Sequence, residues 1–229
     1  NLSLDINHRI DQRVAMSDIE MEKPENLTST TIGYYDDHAP DFWDGTRTHN
    51  VTQNYDALLG AIDAKPPFTL LDLGCGPGRD LAYFQSLGHM AIGLDGSNQF
   101  AEMARRNSDA EVWVQNFIDL NLPAAYFDGV FANASLFHVP KNCILASLGA
   151  ILTTLRNGGV LFSSNPRGND EEDFSGGRFG VFYSDQTWMA LVIKAGFEPV
   201  RQYYRPPNAP PPEQRWFATV WRKPMKPSD

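Results

Sequence analysis

Gly74, Gly76 and Gly78, spaced two apart, follow Asp72 in the segment Leu70 to Asp80, LLDLGCGPGRD. Glycines in a strand-to-helix turn let the backbone bend tightly and approach a ligand without a Cβ in the way. Asp95 comes about 20 residues later, where an acidic side chain at a strand end can accept both hydroxyls of an adenosine ribose. Ser97 supplies an N-cap for the next helix, so Asp95 is not needed as one. Sites for dinucleotides favour G-x-G-x-x-G, which seats a pyrophosphate on a helix N-terminus. The spacing here is G-x-G-x-G, which favours an adenosine ligand lacking a pyrophosphate. Cys75 within the loop, and Gly96 and Ser97 beyond Asp95, complete this set of candidate cofactor contacts.

These residues need a scaffold that brings successive strand ends to one edge. Apolar runs suited to buried parallel strands fall at Thr69 to Leu73, Met90 to Leu94, Glu111 to Gln115, Phe127 to Ala132 and Val160 to Ser164. Helical stretches lie at about Thr52 to Ala64, Asp80 to Leu87, Gln99 to Asn107, Lys141 to Leu155 and Asp185 to Ala195, with Gly88, Gly158 and Gly196 suited to ending three of them. Two further strands, Pro199 to Tyr203 and Trp216 to Trp221, have no helix between them and should pair antiparallel. The expected fold is α/β, a Rossmann-like three-layer sandwich whose seven-stranded, mostly parallel sheet ends in an antiparallel strand. Residues 1–30 are polar and read as a tail or linker, leaving residues 31–229 as one domain.

With 229 residues, 42% hydrophobic and 21% charged, the chain can bury a core without disulfides or metals. A net charge of −9 argues against a surface built to follow phosphate backbones, so a small-molecule substrate is expected rather than nucleic acid. No apolar stretch approaches the roughly 20 residues of a membrane span, and the N-terminus lacks a secretory pattern, so a cytoplasmic protein with no membrane partner is expected. Cys75 and Cys143 have no metal-ligand spacing, nor do His38, His49 and His89, and no metal is expected. The absence of an initial Met suggests a chain excised from, or fused within, a larger multidomain enzyme.

The segment from Asp72 to Asp95 resembles motif I of class I S-adenosylmethionine-dependent methyltransferases, and the resemblance runs from about Tyr34 to Lys223. It implies S-adenosyl-L-methionine as cofactor, with Asp72 orienting its methionine amino group, the glycine loop along its methionyl and ribose parts, and Asp95 on the ribose. Asn116 and Phe117 fall where the family reads adenine, Asn116 in place of the usual Asp; Phe117 flanks the base or belongs to the core. Asn133-Ala134-Ser135-Leu136-Phe137-His138 is similar to the family's motif IV, whose strand end faces the transferable methyl. Catalytic candidates are therefore Asn133, Tyr35 and His138, the last either a general base or a satisfied structural histidine. Tyr35, Phe42, Trp43, Thr46 and Arg47 are placed by the family pattern as a lid over the cofactor; the alternative is an amphipathic helix packing its aromatics inward.

Candidate substrate contacts are Phe137, Asn165, Arg167, Arg178, Tyr183 and Tyr204. An arginine can grip an amino-acid carboxylate through two parallel bonds, and Arg167 or Arg178 could instead pair with the acidic run Asp170 to Asp173. At finer grain, YYDDHAPDFWDGTRTHNVTQNYDALL, GCGPGRD, FANASLFHVP, LFSSNPRG and YYRP resemble the methyltransferase module of ovothiol-biosynthesis (5-histidylcysteine sulfoxide synthase) enzymes. That resemblance implies N-methylation of the imidazole of 5-thiohistidine. The rivals are transfer to another small acceptor, a catalytically silent S-adenosylmethionine-binding module, and a nicotinamide-dependent oxidoreductase.

Overall fold

The computed structural model describes residues 23–210 and 213–225. Its centre is β1 (Thr69–Leu73), whose five residues are all buried. Successive side chains of a strand point to opposite faces. Leu71 and Leu73 accordingly enter one apolar cluster and Leu70 the other. In the first cluster they meet α6 (Ile144–Thr154) and α7 (Asp185–Lys194) through Leu148, Ile151, Trp188 and Val192. In the second they meet α3 (Thr52–Leu59), α4 (Arg79–Ser86) and α5 (Asn98–Ser108) through Leu58, Phe84 and Ala104. Both faces of the sheet are thereby covered, giving the expected three layers.

The remaining strands are β2 (Met90–Asp95), β3 (Val112–Val114), β4 (Phe127–Asn133), β5 (Leu155–Pro166), β8 (Glu198–Arg205) and β9 (Trp216–Arg222). Their order is β3-β2-β1-β4-β5-β9-β8. Only β9 opposes its neighbours: it pairs antiparallel with both β5 and β8. The first residue of β9, Trp216, therefore lies beside Pro166 and Arg205, at the same edge as the carboxyl ends of the parallel strands.

The structure departs from the sequence expectation in three places. Residues 1–22 of the expected tail lie outside the described residues, but from Pro24 the chain is helical: α1 (Pro24–Asp37) buries Leu27, Thr28 and Thr31, and α2 (Ala39–Thr46) follows it. The first helix presents threonines rather than a regular apolar stripe, so its inner face reads as polar. The loop after β5 carries a two-stranded hairpin, β6 (Glu171–Ser175) and β7 (Arg178–Phe182), which leans on α1: Phe179 N donates to Thr31 Oγ1 at 2.9 Å. A Cβ at Gly177 would meet the Tyr34 ring at 2.6 Å. Gly158 does not end a helix, because α6 stops at Thr154 and Gly158 lies within β5 at φ +74°.

Candidate functional site

The turn after β1 is built around Asp95. Gly76 N donates to Asp95 Oδ2 and Ser97 N donates to Oδ1, each at 2.9 Å, so the carboxylate is fixed from two directions where Asp95 lines the cavity beside it. Burial pushes its pKa up to about 6 against these backbone hydrogen bonds. Ser97 caps α5 through Phe100 N and donates to Asp36 Oδ1 at 2.6 Å, tying the turn to α1. Gly74 has φ +82°, and a Cβ there would lie 2.4 Å from Ser135 Cβ, so glycine is required both by its backbone and by the closeness of the β4 loop. Gly78 serves a different end: its would-be Cβ meets Ala104 Cα at 2.7 Å, making it a packing residue between α4 and α5 that does not face the cavity.

Asn116 and Phe117 reach the cavity beyond β3. Asn116 Nδ2 donates to Thr28 Oγ1 at 2.8 Å and its Oδ1 accepts from Ile118 N at 3.2 Å. One amide hydrogen and one oxygen lone pair remain for a ligand.

At the end of β4, Asn133 Oδ1 accepts from Asn54 Nδ2 at 2.9 Å, and Asn54 Oδ1 accepts from Tyr203 Oη at 2.9 Å. Asn54 is fully buried, so this chain from β8 through α3 sets the Asn133 amide. Nearby, His138 Nδ1 lies 2.6 Å from Phe179 O, a group that can only accept, so the ring proton is on Nδ1. Nε2 then accepts from Tyr35 Oη at 2.9 Å, and Arg178 Nη1 donates to the same phenol oxygen at 3.5 Å. Burial, with the Arg178 charge, lowers the His138 pKa to about 4. The imidazole is neutral at physiological pH and its in-cavity nitrogen is occupied by Tyr35. Burial raises the Tyr35 pKa.

Tyr35, Gly74, Cys75, Gly76, Asp95, Gly96 and Ser97 share one cavity of about 910 Å3 with Asn116, Phe117, Asn133, Phe137, His138 and Arg178. Asp72 lies beneath it, buried, with Oδ2 lacking a partner; burial, and the Asp80 charge beside it, push its pKa well up. The other expected residues lie elsewhere. Arg47 is exposed and pairs with Asp44 at 3.6 Å; the arginine that reaches the loop is Arg79, which donates to Thr46 O and holds Asp80. Arg167 pairs with Asp185 and stacks on Tyr204, whose hydroxyl also donates to Asp185, so Arg167 and Tyr204 neutralise and cover α7 outside the cavity. Asn165 and Tyr183 are buried behind the cavity wall, with their side-chain polar atoms lacking partners. The sequence reading assigned no role to Asn54, Arg79, Arg205 or Trp216; Asn54, Arg79 and Arg205 stand within segments that carry the family resemblance, YYDDHAPDFWDGTRTHNVTQNYDALL, GCGPGRD and YYRP, whereas Trp216 only opens the last strand.

The arrangement fits S-adenosylmethionine. Asp95 offers carboxylate lone pairs in a dry turn, and Ser135 Oγ and Asp72 Oδ2 are buried polar atoms without partners around the Gly74 cradle. Residues 71–163 match the methyltransferase domain family. Over that segment the chain is similar to methyltransferase domains, and S-adenosylmethionine is the cofactor that its site fits. Trans-aconitate 2-methyltransferase of Azoarcus sp. is 35% identical over 116 residues, covering 50% of this chain and 45% of that protein. The 18S rRNA (guanine-N(7))-methyltransferase bud23 of Schizosaccharomyces pombe is 30% identical over 92 residues, 40% of this chain and 34% of that one. The chain thus spans less than half the length of these relatives. The crystal structure of Burkholderia thailandensis 1,6-didemethyltoxoflavin-N1-methyltransferase, with 1,6-didemethyltoxoflavin and S-adenosylhomocysteine bound, superposes with a TM-score of 0.70 at 22% identity, covering 88% of this chain and 91% of that one. A small acid and an RNA base among the relatives' acceptors leave the acceptor to be read from the cavity.

Proposed function

We propose that the chain methylates a small, anionic, ring-containing acceptor, with a ring nitrogen of 5-thiohistidine, the ovothiol-forming reaction, as the specific candidate. The observation that carries the proposal is the continuity of one cavity from Asp95 and Asn116 to Asn133, Phe137 and Arg178. Its volume lies at the upper end of the range for small-molecule sites, about 300–1,000 Å3, and leaves room for an acceptor beside a nucleoside.

When bound, S-adenosylmethionine supplies a methyl group on a sulfonium. Transfer would be an in-line displacement in which the acceptor nitrogen's lone pair forms the new N–C bond while the C–S bond breaks and its pair returns to sulfur, and the methylated ring would then give up the N–H proton of its other nitrogen to solvent. The protein's task is to place the nitrogen on that axis and exclude water. In this reading Asp95 holds the ribose, Asp72 the amino group, and Asn116 with Phe117 the adenine. Asn133, oriented by Asn54, borders the reacting atoms. His138 does not act as a free base; it holds the Tyr35 hydroxyl so that the phenol oxygen accepts the ring N–H. Phe137 supplies an aromatic face and Arg178 a cation for the acceptor. Arg178 alone of the two arginines first considered faces the cavity, and it has no carboxylate within 4 Å among the described residues.

Incubation with S-adenosylmethionine and 5-thiohistidine, followed by mass spectrometry, tests this. A singly methylated imidazole is expected. No product at high enzyme, with S-adenosylhomocysteine still binding, overturns the 5-thiohistidine assignment; failure to bind S-adenosylhomocysteine overturns the methyltransferase reading itself.

A further inference from the structure

The cavity does not stop at Arg178. Its wall continues past β4 to Ser164 on β5, Trp216 at the start of β9 and Arg205 at the end of β8. Three inter-strand steps separate β4 from β8, so this far wall lies roughly 14 Å beyond β4 at about 4.8 Å per strand. The glycine loop, Asp95 and Asn116 belong to β1, β2 and β3 on the other side of β4, so the β5–β9–β8 end is acceptor space.

Arginine pairing makes this end chemically specific. Among the described residues, Arg47, Arg79, Arg106, Arg156, Arg167 and Arg222 each have a carboxylate within 4 Å. Three arginines line the cavity, Arg79, Arg178 and Arg205, and of these only Arg79 is paired. Arg205 donates Nη2 to Asn50 O at 2.9 Å, which anchors the guanidinium against the loop before α3 and leaves its other N–H groups uncommitted to any carboxylate within reach. A partly covered guanidinium without a counter-charge, in a chain of net charge −9, is an anion receptor by its chemistry. Trp216, its neighbour in the β8–β9 ladder, adds an aromatic wall beside it.

We propose that Arg205 recognises a carboxylate of the acceptor at the sheet-edge end of the cavity, so that the acceptor is a planar ring carrying a carboxylate that points toward β8 while its nitrogen lies near Asn133. This assignment rests on the methyltransferase reading above. The test measures binding of 5-thiohistidine, imidazole-4-acetate and benzoate to the complex with S-adenosylhomocysteine, alongside 4-methylimidazole as a ring without the acid. The wild-type complex should bind at least one carboxylate and prefer imidazole-4-acetate to 4-methylimidazole. Arg205→Met should weaken the carboxylate at least tenfold, leave 4-methylimidazole unchanged, and raise KM with little change in kcat for any acceptor turned over. Arg205→Lys should restore part of the affinity, and Arg167→Met should leave it at the wild-type level. Affinity for S-adenosylhomocysteine is read in every variant: if it is lost in wild type the methyltransferase reading fails, whereas the Arg205 assignment fails on its own if cofactor binding is intact and Arg205→Met binds the carboxylate normally. It also fails if no carboxylate binds the wild-type complex. Should Arg205→Met not fold, Arg205→Gln, which can still donate to Asn50 O, carries the same expectation and the same refutation.

Discussion

Lowering pH should weaken cofactor binding through Asp95. Burial raises this carboxyl's pKa to about 6 in the cofactor-free protein, above an ordinary 3.8. The sign follows from linkage. A raised carboxyl pKa favours the protonated folded state, so the group's contribution to stability is full below about pH 3.8 and is lost as pH rises through 6, at a cost of about 3 kcal/mol for roughly two units. At neutral pH the folded protein therefore holds a costly carboxylate, and ribose hydroxyls donating to it would relieve that cost and draw its pKa back down. One unit below the free-protein value, at pH 5, about one molecule in eleven keeps Asp95 ionised, so affinity should fall about tenfold between pH 7 and pH 5. Asp95→Ala, which removes two hydrogen bonds to a charged group, should cost at least about 2 kcal/mol, or roughly 30-fold in Kd at pH 7. Titration calorimetry with S-adenosylhomocysteine across this range, with circular dichroism to show the fold intact, measures both. Asp95→Asn should flatten most of the pH dependence, any residual slope belonging to Asp72, whose pKa burial also raises. Less than a twofold change in wild-type Kd from pH 7 to 5, or a full tenfold change retained in Asp95→Asn, refutes the reasoning.

Three further outcomes follow from the packing. Gly74→Ala forces a Cβ to 2.4 Å from Ser135 Cβ at φ +82°, and should abolish S-adenosylhomocysteine binding in calorimetry and lower the melting temperature. Thr219 Oγ1 accepts from Trp188 Nε1 at 3.2 Å and Trp221 Nε1 at 2.8 Å, which fills its lone pairs and makes its own hydroxyl the donor to Ser163 Oγ at 2.8 Å. Thr219→Val orphans three buried polar groups and should cost about 3 kcal/mol or more in urea unfolding. Arg167→Ala breaks a partly exposed ion pair outside the cavity and should cost no more than about 1 kcal/mol while leaving acceptor KM unchanged, a result that kinetics on any accepted substrate will check.

The parts of this molecule that the sequence announced are those whose physics is local. Buried parallel strands read as continuous apolar runs, and the glycine loop and Asp95 are fixed by spacing along one stretch of chain. What was illegible depends on contacts between distant segments. The first helix buries Thr28 and Thr31 rather than an apolar stripe, and those threonines matter because Asn116 and Phe179 bond to them from 88 and 148 residues away. Arg167 and Arg178 look equivalent in a Gly-rich loop, yet Arg167 turns out toward Asp185 while the β6–β7 hairpin carries Arg178 inward. Arg205 stands in the YYRP segment, but nothing local says that it faces a ligand; only the reversal of β9 brings the end of β8 to the cavity.

This division has a functional counterpart. The residues assigned to the cofactor come mostly from Asp72 to Asn133, inside the segment that matches the methyltransferase domain family, residues 71–163. Of the residues proposed to meet the acceptor, Asn133 and Phe137 lie inside the match, whereas Tyr35, Arg178, Arg205 and Trp216, from α1 before it and from β7 to β9 after it, lie outside. An Azoarcus enzyme named for trans-aconitate and a fission-yeast enzyme named for an rRNA guanine each align with only part of this chain. If the flanking elements carry acceptor recognition as proposed, variants at Arg178 and Arg205, rather than in the glycine loop, are where substrate choice should change while cofactor affinity stays fixed.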